Sequence, residues 1–199
     1  MSKKRGVITI AVGVLLVISS LTILFYNRMQ DHRAGQLAQA KLDALQTVID
    51  RDRERENSQQ QTSVPPERQD IVELDGERYI GYLSIPELGL QLPVMWDWDY
   101  EKLKAAPCRQ FGSAKTDDLV IVAHNYQSHF ARLTSLEKGD GVLFYEVDGT
   151  VHSYFVEQIH TLTPTEVDRV TNSQSDLVLY TCTYGGKART AVFCSRTDQ

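Results

Sequence analysis

The sequence predicts a mainly β domain, a barrel or sandwich of roughly seven or eight short strands, set behind an apolar N-terminal helix. Three observations carry this expectation. From about residue 71 onward, short runs of strand-forming residues are broken at close intervals by Gly, Pro and Asp-Gly. No alternation of strands with long helices and no internal repeat is visible there. Ahead of that region, residues 6–26 form one uncharged and strongly apolar run.

In chain order, Lys3, Lys4 and Arg5 precede "GVITIAVGVLLVISSLTILFY", residues 6–26. About 20 apolar residues make a helix that crosses a bilayer core of about 30 Å. A cleaved secretory signal has a shorter apolar region, roughly 7 to 15 residues, closed by a small-residue cleavage site. Here the run continues into Leu24, Phe25 and Tyr26 with no A-x-A pattern after it, so a retained anchor is expected. The compact basic cluster favours a cytoplasmic tail at residues 1–5 and places the rest of the chain outside the cell. Arg28, Arg33 and Lys41 lie beyond the span and reduce that asymmetry.

Residues 27–70 read as a helical stalk and flexible spacer. In "GQLAQAKLDALQTVIDRDRERE", Ala38, Leu42, Leu45 and Ile49 recur at spacings of four, three and four. This narrow stripe fits a solvated continuation of the membrane helix, or else a short coiled coil or membrane-surface segment. It covers too few heptads to specify a coiled coil. Residues 51–70 lose the periodicity and run to Pro65-Pro66, as a spacer does.

Residues 71–199 then supply the domain. "YIGYLSIPELGLQLPVM" reads as two strands about a turn, and "DWDYEKLKAA" as a short helix with Asp97 or Asp99 as N-cap and Pro107 closing it. "LVIVAH", residues 119–124, is a buried strand, and "SHFARLTSL" a helical turn capped by Ser128. "GVLFYEVDGTVHSYFVEQIHTL" is a hairpin folded at Asp148-Gly149, the signal of a two-residue turn. "TPTEVDRV" starts a loop or short helix, and "LVLYTCTYGGKARTAVFC", residues 177–194, makes the last two strands. A domain of this size buries a core without staples.

Composition narrows the function. The net charge of −5 and the lack of a basic patch argue against nucleic acid as principal partner. Three cysteines, Cys108, Cys182 and Cys194, are too few for a disulfide scaffold, and their odd number leaves at least one thiol free or intermolecular. Nothing in the spacing requires Cys108 and Cys194 to pair. No acidic cluster marks a calcium site. A zinc site from His124, His129 and Cys182 lacks C-x-x-C spacing and an obvious fourth ligand.

Cys182 ends a strand that is apolar on both faces and meets a turn, Thr183 to Lys187. A side chain there is held rigidly yet reaches solvent. Pairing of 177–182 with 189–194 as an antiparallel hairpin sets Arg189 near Cys182. A guanidinium so placed lowers a thiol pKa from its usual value of about 8.5, or stabilises the oxyanion formed when sulfur attacks a carbonyl. A cysteine nucleophile needs an acid–base partner, usually histidine. His124 ends its own strand in the same manner, whereas His32 is in the stalk, His129 in the helical turn, and His152 and His160 in the hairpin arms. On residues alone a buried, unreactive thiol is the commoner state of a strand cysteine, and it outweighs the catalytic reading.

"LYTCTYGGKARTAVFCSR" resembles the T-C-T…R signature of sortases, the membrane-anchored cysteine transpeptidases of Gram-positive bacteria. "VIVAHN" resembles their strand-terminal histidine motif, "IGYLSIPELGLQLPV" their opening strands, and "LTSLEKGDGVLFYEVDG" the segment after the histidine. The likeness is colinear over about residues 78–196. It implies a closed β-barrel of about eight strands, with Cys182 as nucleophile, His124 as acid–base group and Arg189 as the assisting arginine. It also implies cleavage of an LPxTG-like sorting signal of secreted surface proteins or pilins. The acyl group then passes to an amine of peptidoglycan precursor or a pilin. No cofactor is expected, and no metal ligand set is picked out. "TCTY" and "HNYQSHF" lean towards class B-like members. "DWDY", residues 97–100, is acidic and aromatic but lies inside the main domain, and no lid motif of the pilin-polymerising type is visible. Tyr184 and the "SHF" stretch are candidates to shape the groove. Two rivals stand beside this reading: a cysteine endopeptidase with the same dyad, and a tethered, non-catalytic β-domain for adhesion.

Overall fold

The structure, a computed structural model, describes residues 2–59, 70–166 and 168–197. One helix, α1, runs Ser2–Gln59, and the chain divides into two compact units, Met1–Arg33 and Ala34–Gln199. In the first unit the large apolar side chains from Val7 to Tyr26 are all exposed, and the helix is long and apolar enough to cross a membrane.

The second unit is a closed barrel. Its strands are β1 (Val72–Leu74), β2 (Glu77–Ile85), β3 (Leu90–Met95), β4 (Cys108–Phe111), β5 (Leu119–Ala123), β6 (Gly141–Glu146), β7 (Val151–Leu162), β8 (Leu177–Cys182) and β9 (Arg189–Arg196). They hydrogen-bond in the order β1-β2-β3-β4-β5-β8-β9-β7-β6, and a further β2–β6 pairing joins the ends. Closure therefore uses the eight strands β2 to β9, while β1 extends the free edge of β2. Closing the sheet removes the unpaired edges that an open sheet presents. Most pairings are antiparallel, but β3–β4 and β5–β8 are parallel.

Side-chain alternation fills the interior. Ile121 and Ala123 of β5, Leu177 and Leu179 of β8, and Val192 and Cys194 of β9 all join one buried cluster with Leu83, Val94, Phe144 and Val156. Gly81 lets the barrel close at β2–β6. A Cβ there would lie 1.9 Å from the Tyr145 carbonyl oxygen, and its φ of +151° is one that side chains disfavour.

Four details differ from the sequence reading. The helical turn after His124 covers Ala131–Ser135 and follows Phe130, so Ser128 is not its cap. Residues 102–104 form a 3₁₀ turn whose N-cap position is Glu101, not Asp97 or Asp99, although the Lys102 N–H donates to Asp99 Oδ1 at 2.7 Å. The hairpin turn is three residues long, since the Glu146 N–H donates to the Thr150 carbonyl. Cys108 opens a strand, β4, in a stretch between Pro107 and residue 119 to which the sequence reading assigns no element. "TPTEVDRV", expected to start a loop or short helix, runs into helix α2 (Asp168–Thr171).

The stripe of α1 is the larger correction. Ala34, Ala38, Leu42, Leu45 and Ile49 are each at most 5% exposed. Leu45 and Ile49 share a cluster with Val72, Tyr79, Met95 and Val147, and Ala38 belongs to the main cluster. The stripe is thus neither solvated nor a coiled-coil face; it packs on the barrel because apolar side chains at that spacing bury against the nearest apolar surface. Lys41 pairs with Asp75 at 2.5 Å, and Arg53 donates to the Gly149 carbonyl at 3.0 Å. Of the expected spacer, residues 51–59 are helical and 60–69 lie outside the described residues.

Candidate active site

Strands β5 and β8 run parallel and in register, from Leu119 beside Leu177 to Ala123 beside Thr181. Both therefore end at the same rim of the barrel. The Thr181 hydroxyl donates to the Ala123 carbonyl at 2.8 Å and ties the two ends together. One residue further along each strand come His124 and Cys182. On the other side of β8, Cys182 and Arg189 are the last paired residues of the β8–β9 hairpin.

Parity decides which face the three side chains take. Leu119, Ile121 and Ala123 point into the barrel, as do Leu177, Leu179, Val192 and Cys194. Val120, Val178, Ala191 and Phe193 belong instead to a separate cluster on the outer face, with Tyr180 packed against it. Since alternate residues share a face, His124, Cys182 and Arg189 all fall on that outer side. All three are half-buried. The structure thus brings together the three residues singled out in the sequence.

The β8–β9 turn is built to hold Arg189. Gly185 and Gly186 adopt φ of +80° and +71°, consecutive left-handed conformations that favour glycine. The Gly186 N–H donates to the Thr183 carbonyl at 2.8 Å, and the Thr183 N–H to the Ala188 carbonyl at 2.9 Å. Arg189 Nη1 then donates to the carbonyls of Gly186, at 3.1 Å, and Ala188, at 3.0 Å. A guanidinium carries five N–H donors, so the fork retains donors for a ligand. Tyr184, at the tip, is 91% exposed.

Burial pushes the His124 imidazole below its usual pKa of 6.5, and the Lys104 charge acts in the same direction, while a hydrogen bond to the Tyr100 backbone opposes both. Desolvation penalises the charged ring more than the neutral one. The His124 ring lies 5.1 Å from the Tyr126 ring, which lies 5.4 Å from that of fully buried His129. The segment is folded back on itself: the Phe130 N–H donates to the His124 carbonyl, and those of His129 and Ala131 to the Tyr126 carbonyl.

Beside Arg189 lies a hollow of about 130 Å³, lined by Gln110, Leu162, Thr163, Pro164, Glu166, Val170 and Tyr180. The Tyr180 hydroxyl donates to Gln110 Oε1. Glu166 accepts from the backbone and hydroxyl of Thr163 and from Arg169, which together hold its carboxyl down to about 2. Tyr180 was findable in the sequence as the residue two before Cys182 on the same face. Gln110 arrives from β4 through the β4–β5 and β5–β8 pairings, and residues 162–170 through the β7–β9 pairing, which sets Leu162 opposite Arg189; nothing local announces either.

The remaining histidines and thiols lie elsewhere. His152 is buried between Glu146, at 2.9 Å, and Arg196, at 2.5 Å; His160 Nε2 meets Gln158 on β7. His32 belongs to the first unit. All three cysteines are free. Burial pushes Cys108 up to about 12 and Cys194 higher still. Among the described residues no three His, Cys, Asp or Glu are grouped to hold a metal ion.

The family model for the sortase domain matches residues 83–197. A sortase D5 transpeptidase of Clostridium perfringens superposes with a TM-score of 0.60 at 14% identity, covering 81% of this chain and 98% of that one. Sortase C of Clostridium perfringens, solved with the C-terminal cell wall sorting motif, gives 0.54 at 23% identity, covering 84% and 95%. Sortase A of Corynebacterium diphtheriae gives 0.55 at 18% identity, covering 86% and 94%. These likenesses are of fold, and they come from classes D, C and A rather than the class B towards which the motifs lean. No curated protein matched.

Proposed function

The chain belongs to the sortase family of cysteine transpeptidases, and from that premise we propose that it is a membrane-anchored enzyme acting outside the cell on LPxTG-like sorting signals, with Cys182, His124 and Arg189 as its catalytic residues. The observation that carries this reading is the placement of those three side chains on one outer face at a shared barrel rim.

The Cys182 thiolate attacks the threonine carbonyl of the signal, and the carbonyl oxygen takes the negative charge. Arg189, clasped to its turn, offers a fixed donor to that oxygen or to the substrate backbone; donors already oriented before reaction stabilise developing charge without reorganisation. As the tetrahedral adduct collapses, the Thr–Gly C–N bond breaks. His124, as imidazolium, delivers its proton to the departing glycine amine. The hollow beside Arg189 takes the residues preceding the threonine, its apolar wall formed by Leu162, Pro164 and Val170. A primary amine, from peptidoglycan precursor or a pilin, then attacks the thioester, gives up a proton to neutral His124 and expels the Cys182 thiolate, which restores the thiolate and the imidazolium. The apolar run at residues 6–26 supplies the anchor.

The acceptor separates this reading from its enzymatic rival. Added glycine peptides or hydroxylamine are expected to raise turnover of an LPxTG-like peptide and to appear in the product. Turnover indifferent to amine, with only the free acid formed, assigns a cysteine endopeptidase instead.

A further inference from the structure

We propose that the close packing of α1 against the catalytic loop, at Gly35 on Ser128, holds His124 in position for the transpeptidation proposed above, making Gly35 and Ser128 positioning residues. The inference rests on that functional reading for its kinetic consequence, but the contact itself does not.

Glycine in the interior of a helix is unfavourable relative to alanine, so its presence at position 35 calls for a local cause. The cause is steric. A Cβ at residue 35 would lie 2.9 Å from Ser128 Cβ and 3.4 Å from its Oγ. The first distance is shorter than carbon atoms tolerate, and the atom met is a Cβ, fixed to the backbone, so rotating a side chain gives no relief. Flanking Ala34 and Ala38 are 2% and 1% exposed, which shows the helix backbone itself pressed close at this point.

Ser128 sits within the segment that carries His124. That segment is pinned at both ends, by buried Ala123 in β5 and by fully buried Phe130. Between the pins, the Tyr126 carbonyl accepts from the His129 and Ala131 N–H groups, and the Tyr126 ring stacks at an angle against His124. A push at Ser128 therefore passes through Tyr126 to the imidazole. The helix is the stiffer partner: Leu42, Leu45 and Ile49 are buried along it, and Lys41 and Arg53 tie it to Asp75 and Gly149. An added methyl group at residue 35 moves the loop before it moves the helix.

The test compares full-length wild type, Gly35→Ala, Ser128→Gly and the double variant, solubilised in detergent. The first readout is the His124 ring titration by NMR, which needs no substrate; the second is kcat and KM on an LPxTG-like peptide with amine. Gly35→Ala is expected to shift the His124 titration and lower kcat about tenfold with KM little changed, a loss of the size that sub-ångström to ångström misplacement produces. Its thermal midpoint changes little, because the helix preference for alanine offsets part of the cost of the close contact. Adding Ser128→Gly removes the atom that is met and returns both readouts towards wild type. A Gly35→Ala variant with unchanged titration and kcat overturns the proposal, as does a loss that tracks a lowered thermal midpoint and is not rescued by Ser128→Gly. Wild type without turnover, but with a titration that shifts and is rescued, retains the contact and discards the transpeptidase reading.

Discussion

Cys182 differs from the other two thiols in what surrounds it. Cys108 and Cys194 are fully buried, and desolvation raises both well above the usual thiol range, whereas Cys182 is half-buried at the barrel rim. Only a thiolate reacts appreciably with alkylating reagents, so brief iodoacetamide treatment of the folded protein should modify Cys182 alone. Peptide mapping checks this; equal labelling of Cys108 or Cys194 would count against their burial. His124 gives a second prediction. Its folded pKa lies below 6.5, so the limb of the kcat/KM profile that reflects loss of the imidazolium proton should fall below pH 6.5. A profile whose His124 limb lies above that value contradicts the burial argument. These two residues were legible in the sequence because each ends an apolar strand at a turn. The wall of the hollow was not, because Gln110, Leu162 and Glu166 come from segments far apart in the chain.

Among the structural elements, the loop between β7 and α2 illustrates a local signal whose purpose needs the whole barrel. "TPTE", residues 163–166, is the capping pattern of a hydroxyl residue followed three later by Glu; the bond from the Thr163 N–H to the Glu166 carboxylate forms, but the Thr163 hydroxyl donates to that carboxylate too, and the Glu166 N–H goes to the Thr163 carbonyl. The pattern predicts a helix start; only the Leu162–Arg189 register makes that loop a wall beside Arg189. Glu166→Gln removes the charge that Thr163 and Arg169 hold. It is expected to loosen residues 163–170, seen as faster amide exchange, and to raise KM several-fold with little change in kcat. The folded Glu166 carboxyl is depressed from 4.5 to about 2, so its contribution is present above pH 4.5 and is lost as pH falls through about 2. A wild-type loop equally protected at pH 7 and pH 2 would refute that. The 3₁₀ turn at 102–104 and the three-residue turn at Asp148-Gly149 show the usual limit of local reading: the turn residues were right and the turn geometry was not. A related signal is Asp75-Gly76; both residues have positive φ and join β1 to β2.

Across the folded unit, the helix stripe adds to two of the barrel's buried clusters, Ala38 to one and Leu45 and Ile49 to another. The period of Ala38, Leu42, Leu45 and Ile49 announced a buried face, but periodicity cannot name the partner surface, which is built by strands that lie after residue 71. Leu45 is fully buried among Val72, Tyr79, Met95 and Val147. Leu45→Ala should therefore destabilise the folded unit by about 2 to 5 kcal/mol, the range for a large-to-small core change. Denaturant unfolding measures it; a change below about 0.5 kcal/mol would mean that the helix does not belong to the folded unit. The closed barrel was legible as a class, from strand count and turn spacing. Its parallel β5–β8 pairing, which sets His124 beside Cys182, is a long-range choice that no local pattern encodes. Whether these side chains form a working nucleophile is read by intact-mass spectrometry of the full chain incubated with LPxTG-like peptides and no amine. A covalent adduct equal to the peptide through its threonine should appear on Cys182, discharge when amine is added, and be absent from Cys182→Ala. An alkylatable Cys182 that forms no adduct with any such peptide, or an adduct that persists in Cys182→Ala, would contradict the proposed chemistry.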